Sequence, residues 1–218
     1  MTQLNFMEID PHFSDIVQNE MMKDLSSERR ERVQRYRSEI DRKIGIYAEV
    51  LVRCIICMRS GVNYKEISFK ASRTGKPFLT GFPYYEFSIS HTRNAVVAAV
   101  SDKPVGVDVE RIRDIDIGIT KRVFSDNELA ALDTAPDKNL KFFELWTKKE
   151  ALVKYHGTGL TNALKTLDVT GSLSSGRFES HIMGDYFVSI CSGDECREID
   201  FTRITEPELV EMWRNLTV

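Results

Sequence analysis

Three carboxylates and a set of cations carry the chemistry this sequence allows. Asp108 and Glu110 stand two apart in "GVDVE", residues 106–110, and Glu150 precedes Lys154 by four in "WTKKEALVK", residues 146–154. A D-x-E pair on its own reads as the wet face of a half-buried strand, with Val107 and Val109 turned into the core. Two such charges about 4 Å apart in a partly shielded site repel by about 4 kcal/mol, and a nearby cation removes that penalty. A hard, oxygen-seeking ion such as Mg²⁺ suits carboxylate donors. Glu150 and Lys154 share a helix face, as do Trp146 and Glu150. The plain reading of that spacing is a surface ion pair worth roughly a few tenths of a kcal/mol. Trp146, Leu152 and Val153 point instead to a helix packed on a core, with the pair at the edge of a cleft.

Phosphate-binding residue types accompany the acids. "SISHT" places Ser90 and His91 among hydroxyls and near Arg93, and "RTGKPFL" presents Lys76 in a turn. A lone His or a loop Lys is more often structural or solvated, so neither decides anything alone. The patterns GxxxxGK[ST], GxGxxG, HExxH and GxSxG are absent, which removes the main support for P-loop, dinucleotide-binding, zinc-protease and serine-hydrolase chemistry. Metal-assisted chemistry on a phosphate ester remains.

The elements that must position these groups follow from periodicity and capping. "LSSERRERVQRYRS" is a polar, Arg-rich helical stretch. Ser38 with Asp41 starts a second helix carrying Ile40, Ile44, Tyr47, Leu51, Ile55 and Met58 on one face and stopping at Gly61. Strands are expected at 86–90, 95–101 and 105–110, the last two joined as a hairpin through Ser101-Asp102-Lys103-Pro104. Ser125 with Glu128 is a capping box opening a short helix, and residues 139–156 form a longer helix closed by Gly157. "KTLDVT", "GRFESHI" and "DYFVSICS" are strand-like, and "EPELVEMWRNL" is a terminal helix. A long helix followed by strands therefore occurs twice, at 39–110 and 139–192, which raises a structural duplication.

These motifs resemble those of the 4′-phosphopantetheinyl transferases, in the longer class that activates carrier proteins of peptide-synthetase type. The matching segments are "GKPFL" (75–79), "FSISHT" (87–92), "GVDVE" (106–110), Phe124, Ser125 and Glu128, and "WTKKEALVK" (146–154), spread over residues 25 to 160. The resemblance implies an α+β pseudo-dimer of two similar α/β subdomains. Each would be a long helix on a small, mainly antiparallel sheet, divided as 1–103 and 104–218, with the active site in the cleft between them. It further implies that Asp108, Glu110 and Glu150 bind Mg²⁺. Arg29, Arg32, Lys76, Ser90, His91, Lys149 and Lys154 would bind coenzyme A, with Arg29 and Arg32 on its 3′-phosphate and Lys154 on its diphosphate. Glu150, Asp108 and Lys154 would carry catalysis, Glu150 being the first candidate base. Lys43 falls where some relatives carry a small hydroxyl residue.

The implied reaction moves 4′-phosphopantetheine from coenzyme A to a serine of an apo acyl or peptidyl carrier protein, releasing adenosine 3′,5′-bisphosphate. A metal-dependent phosphodiesterase and a non-catalytic coenzyme A-binding module are the alternatives. Composition fits an ordinary soluble globular protein: 218 residues, 42% hydrophobic and 29% charged, with a formal net charge of −3 that disfavours bulk attraction to nucleic acid or anionic lipid. No apolar run reaches the roughly 18 residues that span a bilayer. A cytoplasmic monomer is expected. Cys54 and Cys57 lie in a helical pattern and read as core thiols, while Cys191 and Cys196 stand far from them.

Overall fold

The computed structural model describes residues 1–10, 15–159, 164–171, 176–193 and 198–217. The chain opens with strand β1 (Thr2–Glu8) and helices α1 (Asp15–Met21), α2 (Ser27–Gln34) and α3 (Glu39–Ser60). Strands β2 (Ser68–Ala71), β3 (Pro77–Thr80), β4 (Glu86–Thr92), β5 (Ala95–Ser101) and β6 (Val105–Arg111) follow. Helices α4 (Thr120–Val123), α5 (Asp126–Asp133) and α6 (Lys138–His156) lead to β7 (Arg177–Met183), β8 (Tyr186–Ser192), β9 (Ile199–Arg203) and α7 (Glu206–Thr217).

The architecture is α+β and duplicated. In the first half β1, α3, β4 and β5 build a sheet whose order runs β4-β5-β1; in the second, β6, α6, β7 and β8 build one whose order runs β7-β8-β6. The connectivity is the same in both: a strand, a long helix, then a hairpin whose second strand pairs antiparallel with the first strand. The two sheets share a core. Leu4, Phe6, Ala95, Val97 and Ala99 from one meet Val105, Val107, Val109, Val188 and Ile190 from the other. Strand alternation turns Val96, Ala98 and Val100 the opposite way, onto Tyr47, Leu51 and Ile55 of α3. Helix α6 covers the outer face of the second sheet, with Phe143, Leu145 and Leu152 buried. The order of layers is therefore helix, sheet, sheet, helix.

Helix α3 takes the stripe read from its sequence, but Met58 leaves it. Met58 is 64% exposed, at the mouth of a groove it shares with Ile55, Ile204 and Leu216. Ser38 is the N-cap by position although its side chain makes no capping bond, and Gly61 closes the helix in the left-handed region at φ 71°. Ser125 and Glu128 form the full capping box of α5, and Gly157 ends α6 at φ 67°.

Two expectations are corrected. Strands β5 and β6 are not a hairpin: β5 pairs with β4 and β1, and β6 pairs with β8, so the turn between them carries the chain from one sheet to the other. "KTLDVT" is not a strand. Its backbone groups are taken by side chains instead of a ladder: Lys149 donates to Leu167 O, Val169 N donates to Glu128, and Thr170 N donates to Asp168. Residues 199–217, within the expected second subdomain of 104–218, pack against the first. There β9 runs parallel to β1, and α7 buries Leu209, Val210 and Trp213 against the core of α3.

Candidate active site

The cleft lies where β4, β6 and α6 meet. On β6 the alternation that buries Val107 and Val109 in the shared core turns Gly106, Asp108 and Glu110 toward α6. A Cβ on Gly106 would come closer than 3.0 Å to Ala151 O and Tyr155 N, so only glycine lets strand and helix approach this closely. That approach sets Asp108 opposite Glu150 and Lys154, one helical turn apart on α6. Lys154 Nζ donates to Asp108 Oδ1 at 2.7 Å and to Ser90 Oγ at 2.8 Å, while Ser90 Oγ donates to the same Asp108 oxygen at 2.7 Å. Residues of both halves thus close one hydrogen-bonded triangle.

The second oxygens of the acids are left over. Asp108 Oδ2 and Glu150 Oε1 are buried with no hydrogen-bond partner among the described residues. Burial first, and then Asp108, push the Glu150 carboxyl up to about 7 against the pull of Lys154. Glu110 is raised by the same two causes, while Trp146 Nε1 donates to its Oε1 at 3.2 Å and Arg113 lies 4.0 Å from its Oε2. The cleft is short of positive charge. Among the described residues no three His, Cys, Asp or Glu side chains already stand at metal-ligand spacing. The donor set nevertheless suits a hard divalent cation, because all its atoms are carboxylate oxygens and two are buried without partners.

A second pocket continues from the first. Lys76, Gly75, Pro77, Phe87 and Ile89 line the cleft beside Glu150 and Lys154. Gly75, Pro77, Phe87 and Ile89 also line a pocket reaching Arg29, Arg32 and Lys70. Arg29 and Arg32 are three apart on α2, on one face. His91 is solvent-exposed at its edge, and burial, then Arg29, Lys154 and Arg32, push it down to about 4. With the ring open to solvent, the surrounding cations are the cause its geometry supports best. Lys76 donates to Val105 O at 3.3 Å, and burial lowers its ammonium. A group of cations beside an acidic cleft, joined by a groove with aromatic walls, suits a nucleotide whose phosphates span both.

Known proteins match this chain along its length. The pattern of the 4′-phosphopantetheinyl transferase superfamily covers residues 104–202, and that of the 4′-phosphopantetheinyl transferase N-terminal region covers residues 11–103. The chain belongs to this superfamily. Its relatives include the 4′-phosphopantetheinyl transferase psf-1 of Bacillus pumilus, 37% identical over 65% of this chain and 62% of the relative. The transferase ffp of Bacillus subtilis is 34% identical over 68% and 67%. The transferase Sfp of Bacillus subtilis strain 168 is 29% identical over 85% and 90%. The match to the Bacillus pumilus protein thus spans less than two thirds of that relative.

Within this transferase fold, Asp108, Glu150, Lys154 and Ser90 are brought together, with Glu110 coupled to them through charge. Arg29, Arg32 and His91 form the neighbouring group, and Lys76 lies in the groove. Lys149 is not brought to the cleft. It is fully buried on another side of α6, ion-paired with Glu128 of α5 and donating to Leu167 O. Ser90, expected on a phosphate, spends its hydroxyl proton on Asp108. Lys43 is buried in a 3.0 Å ion pair with Glu206. Sequence reading missed Trp146 and Arg113 as partners of Glu110, and Glu49 and Tyr36 behind the arginines. The i,i+4 spacing of Arg32 and Tyr36 was the one signal for the last pair. Cys54, Cys57 and Cys191 are free and buried, and burial raises all three thiols; Cys196 lies outside the described residues.

Proposed function

We propose that this protein transfers 4′-phosphopantetheine from coenzyme A to a serine hydroxyl of an apo acyl or peptidyl carrier protein and releases adenosine 3′,5′-bisphosphate. The observation that carries the reading is the triangle of Ser90, Asp108 and Lys154 beside Glu150, continuous with the cation-lined pocket of Arg29 and Arg32. The bisphosphorylated nucleoside lies in the arginine pocket with the diphosphate toward Lys154. Asp108, Glu110 and Glu150 would hold Mg²⁺, which when bound would offset charge on the diphosphate. Lys154 supplies a second positive charge, fixed in place by Asp108 and Ser90.

Glu150 accepts the serine proton, since its carboxylate lines the cleft beside Lys154 and keeps one buried oxygen without a hydrogen-bond partner among the described residues. The serine oxygen forms a bond to the phosphorus that bears pantetheine. The bond from that phosphorus to the bridging oxygen breaks, and its electron pair leaves with adenosine 3′,5′-bisphosphate. Both sides of the cleft come from one chain, so a monomer suffices. Among the described residues no helix is long and apolar enough to cross a membrane, and a cytoplasmic setting completes the reading.

The test is incubation with coenzyme A, MgCl₂ and a panel of apo-carrier proteins, read by the mass of the modified carrier. Adenosine 3′,5′-bisphosphate should appear only with a carrier present. Its release with water alone would favour a phosphodiesterase. Asp108→Asn should lower transfer at least about 100-fold with unchanged circular dichroism, because it removes a charge from the cation site and leaves Lys154 a neutral acceptor in place of its ion pair. A wild-type rate in this variant would sink the acid-site reading.

A further inference from the structure

The two arginines of the nucleotide pocket are gripped in the same manner. Arg29 turns its Nε toward Glu49 Oε2 at 3.6 Å, and Arg32 donates from its Nε to Tyr36 OH at 2.9 Å. Neither arginine uses its Nη atoms on a protein group among the described residues, so each presents the open end of its fork. We propose that Glu49 and Tyr36 are positioning residues that hold Arg29 and Arg32 by Nε and aim their Nη groups at one phosphomonoester, the 3′-phosphate of coenzyme A. The inference rests on the coenzyme A reading above and adds what orients the two forks.

Glu49 is built for this role. It is 4% exposed on α3, and Arg53 binds its Oε1 through Nε at 3.0 Å and Nη2 at 2.9 Å. Ser26 N donates to the same oxygen at 2.7 Å and Ser26 Oγ to Oε2 at 2.9 Å. Ser26 is also the N-cap of α2, accepting from Arg29 N at 3.3 Å. One carboxylate therefore fixes the start of α2, its capping residue and the arginine head that the helix carries. Arg53 already balances its charge, so Glu49 steers Arg29 without cancelling it. Arg53 in turn lies 4.9 Å over the ring of Phe69, a wall of the same pocket. Tyr36 is held from behind: its ring packs over Gly45, where an added Cβ would stand 3.3 Å from Cε2 and 2.8 Å from Val33 Cγ2. Two oriented forks meeting a phosphate dianion make up to four charge-assisted hydrogen bonds, which freely rotating arginines would pay side-chain entropy to form.

The test compares binding of adenosine 3′,5′-bisphosphate and adenosine 5′-monophosphate, which differ only in the 3′-phosphate, by calorimetry on the full chain. The wild type should prefer the bisphosphate by at least about tenfold, and Glu49→Gln should lose about tenfold of that ratio, the size of one charge-assisted hydrogen bond. Tyr36→Phe keeps the packed ring and should lose about threefold. Thermal midpoints measured alongside separate a general loss of stability, which would weaken both nucleotides equally, from loss of aim. Should Glu49→Gln fail to fold because Arg53 is left unpaired, Tyr36→Phe decides. Full retention of the wild-type ratio in every folded variant overturns the positioning roles and leaves the coenzyme A reading intact. A wild type with no preference overturns both.

Discussion

Glu150 has a physical reason to hold its proton. Burial and Asp108 raise its carboxyl from an ordinary value of 4.5 to about 7, so between those limits the folded chain keeps a proton that the unfolded chain has lost. Unfolding then releases that proton, so the contribution of Glu150 to the stability of the cation-free protein falls as pH rises through that window. Glu150→Gln removes the titration. His91, pushed down to about 4, acts in the opposite direction, and Glu110 titrates as well, but both do so in the two proteins alike. From pH 5 to about 7 without divalent ions, the urea midpoint of the wild type should therefore fall relative to that of Glu150→Gln. Parallel curves would mean that Glu150 does not titrate in this window. Saturating MgCl₂ should shrink the difference, because ion and proton compete for the same oxygens. Much of this site was legible in the sequence: period two placed Asp108 and Glu110 on one side of a strand, and a four-residue step placed Glu150 under Lys154. Lys149 was misplaced for an equally simple reason. Adjacent positions point about 100° apart on a helix, and no feature of "TKKEALVK" shows which lysine faces the cleft. Its partner was visible as Glu128 of the capping box, but the second use of that carboxylate depends on packing between α5 and α6.

At the scale of elements the site depends on how closely β6 lies against α6, and Gly106 sets that distance. Gly106→Ala would drive a methyl group into the backbone at Ala151 and Tyr155, and neither can yield as a flexible side chain would. The expected loss is about 3 kcal/mol in urea unfolding, accompanied by weaker nucleotide binding as Asp108 moves from Lys154. Gly184 provides the control. Its φ of 59° makes alanine strained there, but no atom lies within 4 Å, so about 1 kcal/mol is expected with binding unchanged. Equal losses at the two positions would show that close approach is not what Gly106 provides. Elements with a clear period or cap, such as α3, α5, α6, β4 and β8, were readable because local signals determine them. Strand β1 was not, since a strand buried on both faces shows no alternation, and "TQLNFME" is covered along nearly its whole length. The expected hairpin failed because Ser101 to Pro104 encode a reversal of direction, while the choice of sheet belongs to the shared core.

The whole molecule is two duplicated halves, but its chain does not divide as cleanly as its symmetry. Family patterns meet at residues 103 and 104, and the internal repeat agrees, yet β9 and α7 cross back to complete the first half. They fill three roles there. Strand β9 covers the edge of β1 that would otherwise expose its backbone groups, and α7 covers α3 with Leu209, Val210 and Trp213. Glu206 neutralises Lys43, both buried, and Trp213 Nε1 donates to Asp24 at 2.9 Å. A first half deprived of these segments carries an open sheet edge, a bare apolar helix face and a buried lysine without its counter-charge, a loss of about 3–5 kcal/mol for the last alone. Co-expressed fragments 1–103 and 104–218 should therefore assemble through the shared core and the returning segment, and bind adenosine 3′,5′-bisphosphate between them. Fragments 1–103 and 104–193 should not: the first should aggregate or purify unfolded, although the second keeps all of β6, α6, β7 and β8. Co-purification of this shorter pair with undiminished nucleotide affinity would show that the two packed sheets alone hold the halves together and that the returning strand and helix are dispensable.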